Sequence, residues 1–208
     1  MSELDASSEC RADRLGPAVK TQRQTARRAL LDAFAELALS RHYQDVGVGL
    51  IVGKAGVARS TFYYHFKAKD DLLLQNLRPM MSALARLPVA AEPTQEVNYW
   101  VAHIWQHRAR SRRMFEGATG RRIAEALALE LQPALTEVMP DPAGSRAAPL
   151  LADQIAGSML SLLRAWIAGR ATAAPSDIAG MLWSGARALA DANGHTARVP
   201  ARDRGSFD

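Results

Sequence analysis

Apolar side chains recur at Ala26, Leu30, Ala33, Phe34, Leu37 and Ala38, the three-and-four spacing of one helical face. This predicts a helix from about Thr21 to near Arg41, with Arg23, Arg27 and Arg28 in its first turns. Val57, Phe62 and Phe66 then anchor a very short amphipathic helix over about 59–66, opened by the tight Ala55-Gly56-Val57 turn. Leu72, Leu73, Leu77, Met80 and Met81 supply the buried stripe of a helix starting at Asp70. Asp70 and Asp71 suit its electropositive N-terminus, and Pro79 is expected to kink it or end its first half. Further helices are predicted near 93–117, 119–138, 147–170 and 175–191, broken at Leu87-Pro88, 117–120, 139–144 and 173–175. No alternating strand pattern stands against them, so the fold class is all-α.

One segment resists its pattern. In Val46-Gly47-Val48-Gly49-Leu50-Ile51-Val52-Gly53-Lys54, propensity favours a strand or loop, since each helical glycine costs about 1 kcal/mol relative to alanine. Its place before the 55–57 turn favours the first helix of a helix-turn-helix, with Ile51 and Ala55 packing on Phe34 and Phe62. We take helix. The expected organisation is a disordered leader over 1–17, a three-helix helix-turn-helix domain over 18–69, a second helical domain over 70–193, and a flexible tail over 194–208.

Composition changes the picture in one respect. Hydrophobic residues at 48% and charged residues at 23% are those of an ordinary globular chain, but the net charge of +5 is unevenly placed. Residues 11–69 hold eleven Lys/Arg against four Asp/Glu, whereas residues 70–208 hold fifteen against fourteen. A polyanion, nucleic acid first, is the partner this implies for the N-terminal part. The most apolar stretch, 150–168, contains Asp153, Gln154 and Arg164, so no membrane span is expected. Cys10, the single cysteine, cannot form an internal disulfide, which points to a cytoplasmic location.

The short helix carries the chemistry. Arg59, Ser60, Thr61, Tyr63, Tyr64 and His65 crowd guanidinium, hydroxyl, phenol and imidazole groups onto two turns, and Lys67 and Lys69 follow. Such a helix can pack one face on a small core and lay the other in the major groove. Arg59 can bridge guanine O6 and N7. Thr61 and Tyr64 can touch a thymine methyl or a phosphate, and Lys69 offers a point charge.

The order of a basic helix, a short helix, the turn and the run Thr61-Phe62-Tyr63-Tyr64-His65-Phe66-Lys67-Ala68-Lys69-Asp70-Asp71-Leu72 resembles the TetR/AcrR family of transcriptional regulators over residues 25–75. The resemblance implies that Tyr63, Lys69 and Thr25 clamp phosphates and that Arg59, Ser60, Thr61, Tyr64 and His65 face the groove. Val46, Gly47 and Gly49 depart from it, standing where a capping Thr or Ser and a polar residue are common. Ala58 and Ala68 likewise replace capping residues.

Beyond Leu77 the likeness is architectural. Two C-terminal helices carry long apolar faces, and the resemblance implies a four-helix homodimer interface built from Leu151, Ile155, Leu162, Ile178, Leu182, Gly185 and Leu189. Trp100, His103, Ile104, Trp105, His107, Met114 and Phe115, with Met159 and Trp166 opposite, are candidate lining for an apolar or aromatic effector, although such a stripe is also ordinary core. His103 and His107 have the i, i+4 spacing of metal ligands, but the sequence places no third ligand beside them. No metal or cofactor is therefore expected.

The function this suggests is a homodimeric, sequence-specific repressor released from a palindromic double-stranded DNA operator by a small effector. The alternative is a helical small-molecule sensor or partner-binding protein with a degenerate DNA-binding head. An enzyme built on His103, His107 and Glu116 would lack a nucleophile–base constellation and a phosphate loop, so none is expected.

Overall fold

A computed structural model describes residues 17–139 and 142–196. Among these the chain is all-helical. The helices are α1 (Pro17–Ser40), α2 (Val48–Ala55), α3 (Arg59–His65), α4 (Lys69–Ala85), α5 (Gln95–Gln106), α6 (Arg108–Met114), α7 (Gly117–Val138), α8 (Pro142–Ile167) and α9 (Pro175–Thr196), with a 3-10 turn at Tyr43–Asp45. The leader up to residue 16 and the tail from residue 197 lie outside the described residues; Gly194–Thr196, expected in the tail, continue α9. The chain divides into two compact units, one ending at Asn76 and the other starting at Leu77.

In the first unit α1 packs on α2 and α3, which also pack on each other. Leu30, Phe34, Val46, Ile51, Phe62 and Leu72 fill its core. Phe34 meets Tyr43 edge to face at 6.2 Å. The glycine-rich segment is therefore helical despite its propensity. Its N-cap, Gly47, provides no side-chain hydrogen bond, and neither does Ala58 at the start of α3. At its other end Gly56 adopts the left-handed conformation, φ 65°, that closes α2 before the turn. Burial of Ile51 offsets what the glycines cost, a case of tertiary packing overriding propensity.

Ala68 needs no capping side chain of its own. The Asp71 carboxylate reaches back to accept the backbone N–H groups of Lys67 at 2.8 Å and Ala68 at 3.0 Å, which is the acidic half of a capping box. Pro79 neither kinks α4 into two elements nor ends it. Pro79 and Gln75 are both exposed, so water can take the carbonyl that the proline ring leaves without a donor.

In the second unit α7 and α9 each pack on α8, and α9 also packs on α5. Leu127, Leu131, Ile155, Leu163 and Trp166 lie in its core. The helix expected over 93–117 is two elements, because the chain leaves helical geometry at His107. Trp183 and Arg187 of α9 both donate to the Ala90 carbonyl, at 3.0 and 3.1 Å, pinning the segment that precedes α5.

The turn from α6 into α7 depends on glycine. Gly117 sits at φ 59°, and a Cβ on Gly120 would lie 2.2 Å from the Phe115 carbonyl oxygen. The obstacle is backbone, so no rotamer relieves it. Gly120→Ala is expected to lower stability by about 1–3 kcal/mol, read as a fall in the midpoint of thermal unfolding of the second unit. An unchanged midpoint would show that the turn yields.

The expected dimer set divides on inspection. Leu151, Ile155, Ile178 and Leu182 are buried within the chain's own core and have no surface to offer a partner. Leu162 and Leu189 are half-buried, and Gly185 is exposed. The apolar stripe read from the sequence belongs mostly to the inward face. The outward faces of α8 and α9 carry Leu150, Gly157, Ser158 and Ser161, and Met181, Ser184, Gly185 and Ala188.

Candidate nucleic-acid interface

Phe62 is fully buried, and Phe66 lies beneath the end of α3 with its ring 5.9 Å from that of Phe62. Because these two rings hold the inward face, the outward face is forced to carry Arg59, Ser60, Tyr63 and Tyr64. Tyr63 is 51% exposed and Tyr64 59%, so both phenols are open to a partner.

α1 completes the surface. Gln22, Arg23 and Ala26 line one concavity with Val57, Ala58, Ser60, Thr61, Tyr64 and His65, about 540 Å³ in volume. The Arg23 guanidinium lies 4.6 Å from the centre of the Tyr64 ring. Arg27 donates to Gln75 at 2.9 Å and sits 5.7 Å from the Phe66 ring. Arg59 and Tyr63 form a second flank, with the guanidinium donating to the phenol at 3.4 Å. A phosphate or a base edge placed here meets cations already steadied by aromatic faces.

The structure thus brings Ser60, Thr61, Tyr64 and His65 together, with Arg59 and Tyr63 beside them on the same helix. Thr25 stands apart. It is exposed, its hydroxyl donates to the Thr21 carbonyl at 2.9 Å, and it does not line the Arg23 concavity. Lys69 has a structural task, since its ammonium donates to the Tyr43 and Gln44 carbonyls at 2.9 and 3.5 Å and lies over the Tyr43 ring. That ties the 3-10 turn to the start of α4, where the Tyr43 hydroxyl also donates to Asp70. Arg23 is outside the motif, and only the fold brings it to Tyr64. The sequence signal for it was the local excess of positive charge.

Residues 30–75 match the model of the bacterial regulatory proteins, tetR family. Over that segment the chain is similar to regulators of this family. Among solved structures, a TetR transcriptional regulator from Rhodococcus sp. RHA1 is similar at 16% identity, covering 83% of this chain and 97% of that one with a TM-score of 0.41. No curated protein matches the chain. Among the described residues no helix is long and apolar enough to cross a membrane.

Within the first unit, His65 is held below its ordinary value of 6.5 by partial burial, then by the charges of Arg27 and Arg23. It is therefore a neutral imidazole at pH 7, able to donate from one nitrogen and accept at the other. The unfolded chain binds the proton more readily than the folded one. His65's contribution to stability is thus complete above about pH 6.5 and lost as pH falls through the lowered folded value. Thermal melts between about pH 7.5 and about pH 5.5 should show a larger loss for the wild type than for His65→Gln. The difference is modest because the ring is partly exposed, and equal losses would contradict the assignment.

The residues proposed for an effector separate into two groups in the second unit. Trp105 and Trp166 stack at 4.5 Å with their planes 18° apart, and the Trp166 indole donates to the Ala173 carbonyl at 3.1 Å. Ile104, Phe115 and Met159 are buried, and Met114 is half-buried. Trp100, His103 and His107 run along the other side of α5 with exposed Tyr99, in contact ring to ring. Trp100 also lines an open groove of about 640 Å³ with Pro79, Ser82, Ala83, Arg86, Gln95, Glu96 and Tyr99. His103 is held below its usual value by burial and then by neighbouring His107.

Proposed function

We propose that this tetR-family DNA-binding regulator is a homodimeric repressor that reads a palindromic operator with α3 and releases it on binding a small apolar or aromatic effector. The observation that carries the reading is the face of α3, where Arg59, Ser60, Tyr63 and Tyr64 stand exposed over buried Phe62. Arg59 reads a guanine, Ser60, Thr61, Tyr64 and His65 contact neighbouring base edges and phosphates, and Tyr63, Thr25 and Lys69 anchor the backbone.

A helix of seven residues reaches only a few base pairs, so useful specificity requires two copies on two half-sites. The outward faces of α8 and α9 suit that pairing. They carry small residues at Gly157, Ser158, Ser161, Ser184 and Gly185, with Leu150 and Met181 as apolar contacts. The effector acts in the helical body over 70–193, and the stacked Trp105–Trp166 pair offers flat aromatic surface to a ligand that parts it. Release follows only if the effector binds more tightly to the form whose reading helices no longer match successive major grooves.

Selection from random duplex DNA tests the reading. Recovery of a two-fold symmetric sequence is the expected result. Binding that is sequence-blind and fades with salt would replace it with the sensor whose head no longer reads DNA.

A further inference from the structure

The first unit leaves α5 unexplained. Its last turn presents the imidazole of His103 beside that of His107, the residue that caps its end, with ring centroids 4.6 Å apart and planes inclined at 64°. An ion bound by imidazole nitrogen at about 2.0–2.1 Å has the ring centroid about 3.2 Å away. Two such rings in cis positions at about 90° then have centroids about 4.5 Å apart, and a tetrahedral angle would need about 5.2 Å. The observed spacing lies nearer the cis value and lets both rings reach one ion, and the general affinity order of such sites puts copper(II) first. We propose that His103 and His107 together bind a divalent transition-metal ion of tetragonal preference, copper(II) before nickel(II) and zinc(II).

The surroundings support a preformed site. Tyr99 stacks on His103 at 6.0 Å, and Trp100 meets it edge-on at 5.8 Å, which fixes the ring without occupying a nitrogen. Neither imidazole hydrogen-bonds to another described residue. Arg108, the next residue after His107, is engaged by Trp105, its guanidinium lying 4.7 Å from that ring and donating to the Trp105 carbonyl at 3.3 Å. Both histidines are partly exposed, so water completes the coordination. Among the described residues no group of three or more His, Cys, Asp or Glu side chains is gathered for a metal, so the pair acts as a two-ligand chelate. Chelation clamps the turn at which α5 ends and the backbone departs from helical geometry. The site uses α5 alone and does not depend on how the head reads DNA.

Copper(II) titrated into the full chain, free of any histidine tag, tests this by calorimetry and electron paramagnetic resonance. The expected result is one tightly held ion per chain with hyperfine coupling from two imidazole nitrogens. His103→Gln and His107→Gln should each weaken it by more than about tenfold and leave one coupled nitrogen, while His42→Ala changes neither. Two-nitrogen binding retained in His103→Gln, or equal weakening by His42→Ala, would overturn the site. A second measurement needs no variant. Copper should protect both His103 and His107 of the wild type from acylation by diethyl pyrocarbonate, and modification at an undiminished rate would overturn it too.

Discussion

Phe62→Ala is expected to unfold the DNA-binding head and abolish operator binding. The ring is fully buried, meets Tyr63 edge-on at 5.2 Å and packs against Phe66, so its deletion removes the contact that orients the reading face. Truncating such a ring costs about 3–5 kcal/mol, as much as a small head of this kind has in reserve. Hydrogen exchange should show amides of α2 and α3 opening freely while those around Leu127 and Ile155 stay protected. Phe62→Leu, which preserves most of the volume, should retain binding. Near-native affinity in Phe62→Ala would mean that the head does not depend on this anchor.

Gly185→Arg is expected to separate the dimer without disturbing the chain. A Cβ at Gly185 meets nothing within 4 Å, and replacing a helical glycine favours α9 by itself. Any loss is therefore a loss of association. Because two half-sites held by one dimer gain about 10²–10⁴ over independent binding, operator affinity should fall by that order while salt-dependent, non-specific binding persists. Sedimentation should show monomers. A dimer of unchanged strength would place the interface away from the outward faces of α8 and α9.

Much of this was legible in the chain. The three-and-four spacing gave α1 and α4, and the anchors Val57, Phe62 and Phe66 gave α3, because both depend on local period. α2 was harder, since Gly49 and Gly53 argue against a helix and only its place before the 55–57 turn spoke for one, while the burial of Ile51 that stabilises it appears only in the fold. The continuity of α4 through Pro79 and the break at His107 depend on which carbonyls water can reach and on local backbone geometry, neither of which a period encodes. The dimer set mixed two faces for a different reason. Period alone does not tell an inward apolar stripe from an outward one, and burial places Leu151, Ile155, Ile178 and Leu182 in the chain's own core and leaves Gly185 outside it. Arg23 escaped because its partner, Tyr64, is distant in sequence and near only in the fold.

The central claim is that α3 reads bases and that Arg59 reads one of them. Its most direct test compares the operator preferences of the wild type and Arg59→Ala over a library of duplexes differing at single positions. The account predicts a loss of about 1–3 kcal/mol on the preferred site, with discrimination erased at one base pair in each half-site and kept elsewhere. Unchanged affinity and unchanged preference at every position would contradict it.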